Sequence, residues 1–204
     1  MIDWLPREPD GGVRFGILLV LERVVRQHPT LSVDRAALGR SIAETLTRAY
    51  RYLDARLNLL RGAAQDPARK TLGHELLHDL LRDKEANTRG RLFRLLGVLY
   101  PTEDFGQIYR SLTLSKNFRA TSVELLESIL REPVRSAVLG LVDDCADELR
   151  LTRAGRYYRV RSVGYSELLR QLSEGESDAV RQVSRYHAAE LGLHPISKPT
   201  GQAA

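Results

Sequence analysis

Cysteine is almost missing from this 204-residue chain. Cys145 stands alone, so no intrachain disulfide can form and a reducing compartment is expected. Long apolar runs are missing too. The run near the N-terminus, Gly16 to Leu21, meets Glu22 and Arg23 at once, far short of the roughly 20 apolar residues that a membrane-spanning helix needs. It has no basic lead-in and does not read as a secretory signal. These gaps point to a cytoplasmic protein that does not span a membrane. Lysine is scarce as well, confined to Lys70, Lys84, Lys116 and Lys198, and arginine supplies nearly all the positive charge behind a formal net charge of +5. A basic balance permits nucleic acid, anionic lipid or an acidic protein as partner and does not choose among them.

Strand alternation is nearly absent, whereas apolar residues recur three and four apart almost everywhere. The spacing predicts a polar leader over 1–12 and a first helix from about Val13 to His28, ended by Pro29. A long second helix follows, capped by Ser32, carrying Leu38, Ile42, Leu46, Ala49, Leu53, Leu57 and Leu60, and closed by Gly62. Asp66-Pro67 opens a third helix with an N-cap acid and a proline at its first position. From there the helices shorten and pair: about Ala86–Leu99 with a helix to Leu114, Asn117–Leu130 with a helix from Pro133 to about Leu149, and Tyr165–Ser173 with Ser177–Leu191. A tail over 194–204, with Pro195 and Pro199, reads as mobile. Pairs recurring at roughly 30 to 40 residues describe an α-solenoid, in which each pair buries its apolar stripe against the next. The expected organisation is a longer-helix N-terminal cap over 13–65 and HEAT-like repeats over 66–193.

The last pair, Glu167-Leu168-Leu169-Arg170-Gln171-Leu172 through Ser177-Asp178-Ala179-Val180-Arg181, resembles a HEAT repeat, in which an Asp-x-Val-Arg type turn opens the second helix. The stretches Asn87 to Leu96 and Phe118 to Glu127 are similar to the HEAT region attached to some bacterial transporters that resemble ATP/ADP translocases. The resemblance covers about Leu72 to Leu193 and implies an all-α superhelix of stacked antiparallel helix pairs, a scaffold for another protein, and no catalytic residues.

Two signals could mean chemistry instead. His74-Glu75-Leu76-Leu77-His78 is a literal H-E-x-x-H. On a helix its two imidazoles lie one turn apart and could hold one zinc ion, with Glu75 as general base on a metal-bound water. Against this, Asp79 follows the second histidine and no motif supplies a third ligand. Glu103 and Asp104 are loose candidates, and His28, His187 and His194 have no motif context. With Leu72, Leu76, Leu77 and Leu80 setting the apolar side, His74 and His78 fall on the wetter one, and the favoured reading is two surface histidines. The second signal is the basic connector Arg150, Arg153, Arg156, Tyr157, Tyr158, Arg159 and Arg161. Arginines with interleaved tyrosines can pair phosphates and stack bases, yet no nucleic-acid-binding signature accompanies them. A solvated connector whose tyrosines pack back is favoured.

Cys145 reads as a buried thiol on the apolar face of its helix, and His187 as a satisfied core histidine beside Val180, Val183 and Leu191. Gly11-Gly12 makes no phosphate fingerprint, and Trp4 sits in the leader. The expected function is therefore a non-catalytic scaffold that binds a protein partner, with no cofactor. A zinc hydrolase, or nucleic-acid binding through residues 150–161, is the alternative.

Overall fold

The computed structural model describes residues 11–28, 30–112 and 114–193. The leader with Trp4, up to residue 10, and the tail from His194 lie outside the described residues. Among the described residues the chain forms nine α-helices and no strand. They are α1 (Gly11–Gln27), α2 (Arg35–Gln65), α3 (Leu72–Leu99), α4 (Phe105–Ser111), α5 (Lys116–Ile129), α6 (Val134–Val142), α7 (Asp147–Thr152), α8 (Tyr165–Ser173) and α9 (Asp178–Glu190), with short 3-10 turns at Pro67–Arg69 and Gly155–Tyr157.

Several boundaries differ from the expected ones, each for a local reason. The helix placed from Val13 already starts at Gly11, so both glycines of the expected leader end are helical. Asp34, not Ser32, caps α2, its carboxylate accepting from the Ala36 and Ala37 N–H groups at 2.9 and 3.0 Å. Gly62 lies inside α2 rather than ending it, and a glycine is needed there because the Tyr165 ring occupies the space a Cβ would fill. Asp66-Pro67 opens a 3-10 turn instead of an α-helix, Asp66 accepting from Ala68 N–H at 3.1 Å. α3 then runs unbroken for 28 residues through the position where a new helix was expected near Ala86. Its middle holds no proline, and the Thr88 hydroxyl folds back onto the Lys84 carbonyl at 2.7 Å.

The described residues fall into two compact units, each assembled from two separate stretches of chain. The first takes residues from 1–51 and 84–160. α1 buries Leu18, Leu21 and Val25, and the start of α2 buries Leu38, Ile42 and Leu46. Leu92, Phe93, Leu95 and Leu96 of α3 are likewise buried. Phe93 packs on Phe105 and Tyr109, which seats α4. Glu22 is buried and takes Arg94 at 2.8 Å, while Arg26 pairs with Asp104, the N-cap of α4.

The end of α6 is held by arginines from three other places. Arg150 gives its Nε to the Gly140 carbonyl at 3.1 Å and its Nη2 to the Leu141 carbonyl at 3.0 Å. Arg89 also donates to Leu141, and Arg119 donates to Val142. Cations on the last carbonyls satisfy them and suit the helix dipole. The helix expected to reach Leu149 therefore stops at Val142. Cys145 lies in the following bend, half-buried, and not on a helix face. The Tyr50 hydroxyl, donating to the Ala137 carbonyl at 2.7 Å, packs against Gly140 where a side chain would collide.

The second unit takes residues from 52–83 and 161–204. Its core is Ala55 and Leu59 of α2, Leu77 and Leu81 of α3, Leu168 and Leu169 of α8, and Val180 of α9. α8 and α9 form a tight hairpin. Arg181 donates to the Gly175 carbonyl at 2.9 Å and contacts Asp178, so the turn between them is tied by one guanidinium. Ser177 stands at the N-cap of α9 without a side-chain capping bond.

Candidate functional site

The H-E-x-x-H stretch lies in the first turns of α3, in the second unit, and its two histidines go separate ways. His74 is buried, 7 % exposed, whereas His78 is half-buried beside Asp79, its Nδ1 3.3 Å from that carboxylate. The expectation that both histidines share the wet side is corrected for His74. Gly73, His74, Leu77 and Leu81 form the packed side, while Leu72 and Leu76 point outward, 59 % and 48 % exposed. The cause is Gly73. A Cβ there would stand 2.5 Å from Glu190 Oε2 and 2.8 Å from His187 Cβ, so the glycine side of α3 is the one that admits α9.

Around His74 the unit gathers Thr71, Tyr165, His187 and Glu190. His187 is fully buried, and the Tyr165 hydroxyl lies 2.7 Å from its Nε2. Thr71 Oγ1 lies 2.9 Å from His187 Nδ1 and donates to Glu190 Oε2 at 2.5 Å. His74 Nδ1 is 3.3 Å from the Tyr165 hydroxyl, and the two imidazoles meet edge to face at 5.9 Å.

With both rings neutral, as burial favours, these contacts assign the protons by elimination. Glu190 accepts, and so the single Thr71 hydroxyl proton points to it. Thr71 oxygen then accepts from His187 Nδ1–H, which leaves Nε2 as an acceptor for Tyr165 O–H. The Tyr165 oxygen in turn accepts from His74 Nδ1–H. The chain runs from His74 through Tyr165 to His187, and from His187 through Thr71 to Glu190, with both rings neutral.

The electrostatics agree with that assignment. Burial, and then each other's proximity in the case of His74, hold both imidazoles below their ordinary value, the Glu190 contact offsetting part of the effect at His187. Burial pushes Tyr165 up to about 12, against the pull of Arg69, whose guanidinium lies 4.5 Å from the ring centroid. The hydrogen bond from Thr71, followed by that from the Gly73 N–H, holds the Glu190 carboxyl below its usual range. Every member is thus engaged with another in a network that ties α3 to α8 and α9. Among the described residues no three His, Cys, Asp or Glu side chains are grouped to hold a metal ion.

Sequence reasoning placed His187 in the core but missed Tyr165, Thr71 and Glu190. Thr71 meets His187 across 116 residues, a distance at which no spacing rule operates. The usable signal was the short one, His187 and Glu190 at i and i+3 on one face of α9.

The basic connector does not form one basic surface. Arg150 turns into the first unit, where it meets Glu85 at 2.9 Å and Asp147 at 2.6 Å besides the α6 carbonyls. Arg153 pairs with Asp143 at 2.5 Å. Tyr157 is buried, its carbonyl accepting from the Thr47 hydroxyl at 2.9 Å, with the Arg156 guanidinium 5.3 Å from its ring centroid. Tyr158 is half-buried, and Arg156, Arg159 and Arg161 are exposed. The expectation that the tyrosines pack back therefore holds for Tyr157, while Arg150 is a core residue and not a surface one.

No helix among the described residues is long and apolar enough to cross a membrane. No protein-family profile, curated protein or solved structure matches this chain.

Proposed function

We propose that this chain is a non-catalytic helical module of HEAT-like build that holds another protein by an amphipathic helix of that partner. The observation that carries the reading is the outer side of α1. Leu18, Leu21 and Val25 fill one side of this helix, yet Val13, Val20 and Val24 on the other are 50 %, 61 % and 37 % exposed. Ile17 completes a series spaced four, three and four, the seam along which two helices pair. A contiguous aliphatic stripe facing water marks an interaction surface.

Charge narrows the partner. The stripe is edged by the exposed Arg23, and the whole chain carries a formal net charge of +5. A partner helix with acidic flanks complements that edge and is steered toward it. The HEAT-like build is supported by the α8–α9 hairpin, where Arg181 bridges the turn to Gly175 and Asp178 in the stretch that resembles the repeat.

The test is photo-crosslinking in living cells from a benzoyl-phenylalanine at position 20, with the exposed Gln182 as control site, followed by mass spectrometry. The expected result is a foreign polypeptide bearing an acidic amphipathic helix, captured from position 20 alone and lost in Arg23→Glu. Adducts to a second copy of this chain only, or the same products from both sites, overturn the reading.

A further inference from the structure

The outer side of α1 has a gap and a charge that bear on what covers it. Gly16 stands between Val13 and Val20 on that side, three residues after one and four before the other. A Cβ built at Gly16 would meet nothing within 4 Å, so the aliphatic stripe has an open notch where another backbone can lie close. Arg23 is exposed at the edge of the stripe, and no ion pair joins it to another described residue. Leu19 is exposed beside it, while Leu18, Leu21 and Val25 hold the helix down from the opposite side.

The ten residues ahead of α1 carry the matching chemistry. Met1, Ile2, Trp4 and Leu5 are apolar, and Asp3, Glu8 and Asp10 against the single Arg7 make the segment acidic within a basic chain. Pro6 and Pro9 deny it a regular helix and favour an extended run. Its length fits the stripe. If the chain reverses just ahead of Gly11, the extended steps from Pro9 back to Trp4 cover about 16 Å. About eleven residues of helix cover the same distance, which brings Trp4 level with the interval between Val20 and Val24. Asp3 then arrives beside Arg23, and Pro6 lies over the region of the Gly16 notch.

We propose that residues 1–10 fold back along the outer side of α1 as a strap, with Trp4 and Leu5 on Val20 and Val24 and Asp3 beside Arg23, and that this strap competes with the partner helix. A tethered segment meets its site at an effective concentration of about millimolar, so a contact of modest affinity keeps the stripe covered until a tighter helix displaces it. The indole supplies the largest apolar area of the segment. The competition rests on the reading of α1 as a docking stripe, whereas the seating of the strap does not.

The test is tryptophan fluorescence of the full chain, because Trp4 is its single tryptophan and reports on the leader alone. Emission is expected to the blue of the same chain unfolded in urea, with quenching by acrylamide severalfold weaker. Val20→Asp, at an exposed position that leaves Leu18, Leu21 and Val25 in place, should move the emission red and restore quenching, with far-UV circular dichroism unchanged. Arg23→Glu should do so in part, by a margin that shrinks in high salt. Emission that moves red on dilution places the leader on a second copy and overturns the proposal. So does emission equal to that of the unfolded chain, or unmoved in both variants. The competition is read with the photo-crosslinker at position 20, where Trp4→Ser with Leu5→Ser should raise the foreign adduct severalfold; an adduct that does not rise overturns it. A seated Trp4 with no foreign adduct in either chain sinks the docking reading and leaves the strap, and a foreign adduct with an unseated Trp4 does the reverse.

Discussion

His187 is a buried imidazole with both ring nitrogens engaged, and that combination sets how the second unit answers acid. Burial holds His187 and His74 below the ordinary value of 6.5 in the folded chain. In the unfolded chain the rings return to that value, so between the folded value and about 6.5 the unfolded state binds more protons. The stabilisation is fully present above about 6.5 and is lost as pH falls through that window. Protonation also breaks the wiring, because the Nε2 of His187 cannot then accept from Tyr165. The Glu190 carboxylate, held below its ordinary 4.5, adds a second loss of the same sign further down. The urea midpoint is expected to fall between pH 7 and pH 5, and more shallowly in His187→Gln. A flat or rising midpoint over that range would show that the rings are not buried neutral. The core place of His187 was legible because it shares a stripe with Val180 and Val183. That of His74 was not, because counting leucines gave the face to Leu72 and Leu76, and a glycine carries no weight in such a count although it decides which side another helix can approach.

At the scale of the element, α6 shows where periodicity misleads. The apolar series from Val134 through Leu141 continues into Cys145 and Leu149, and nothing local forbids a helix through all of it. The stop comes from Arg89 and Arg119, on other helices, and from Arg150 in the next short helix, which take the Gly140, Leu141 and Val142 carbonyls. Arg150 matters most, since its Glu85 partner is only 4 % exposed in its side chain. Arg150→Ala takes the nearest cation from Glu85, which Arg89 still faces at 3.5 Å. The loss in urea unfolding is therefore expected at about 1.5–3 kcal/mol, the cost of removing a hydrogen bond to a charged group, and below that of a wholly uncompensated buried charge. A companion Glu85→Gln should recover part of it. A loss of well under about 1 kcal/mol, the level of an exposed pair, would show that the clamp does not set the end of α6. Helices closed by their own chemistry were easier to read. Asp66 was legible as a cap, though of a 3-10 turn and not of the third helix, and the turn before α9 was legible in its place but not in a capping bond.

For the whole molecule, the absence of strand alternation was enough for the all-α class, and the short helix pairs of the C-terminal half were legible in outline. The division of the chain was not. Hydropathy reported α2 as one continuous stripe and a break inside α3, whereas α2 and α3 each supply residues to both compact units. A leucine's period says that it faces a core and not which core. A chain ending at Val160 keeps Leu59, Leu77 and Leu81 but lacks Leu168, Leu169 and Val180, which cover them. Such a truncation is expected to bind the dye ANS strongly and to lose more helix than the deleted residues contained, by far-UV circular dichroism. Unchanged helix content per remaining residue, with no dye binding, would mean that residues 52–83 do not depend on α8 and α9.

The same interleaving sets a timetable for synthesis. The first part of the second unit leaves the ribosome before most of the first unit has been made, and its covering helices arrive last. At roughly 5–20 residues per second, Leu77 and Leu81 stay without their partners for several seconds or more. Over that interval a nascent chain presents bare leucine stripes to whatever chaperone or neighbouring chain reaches them first.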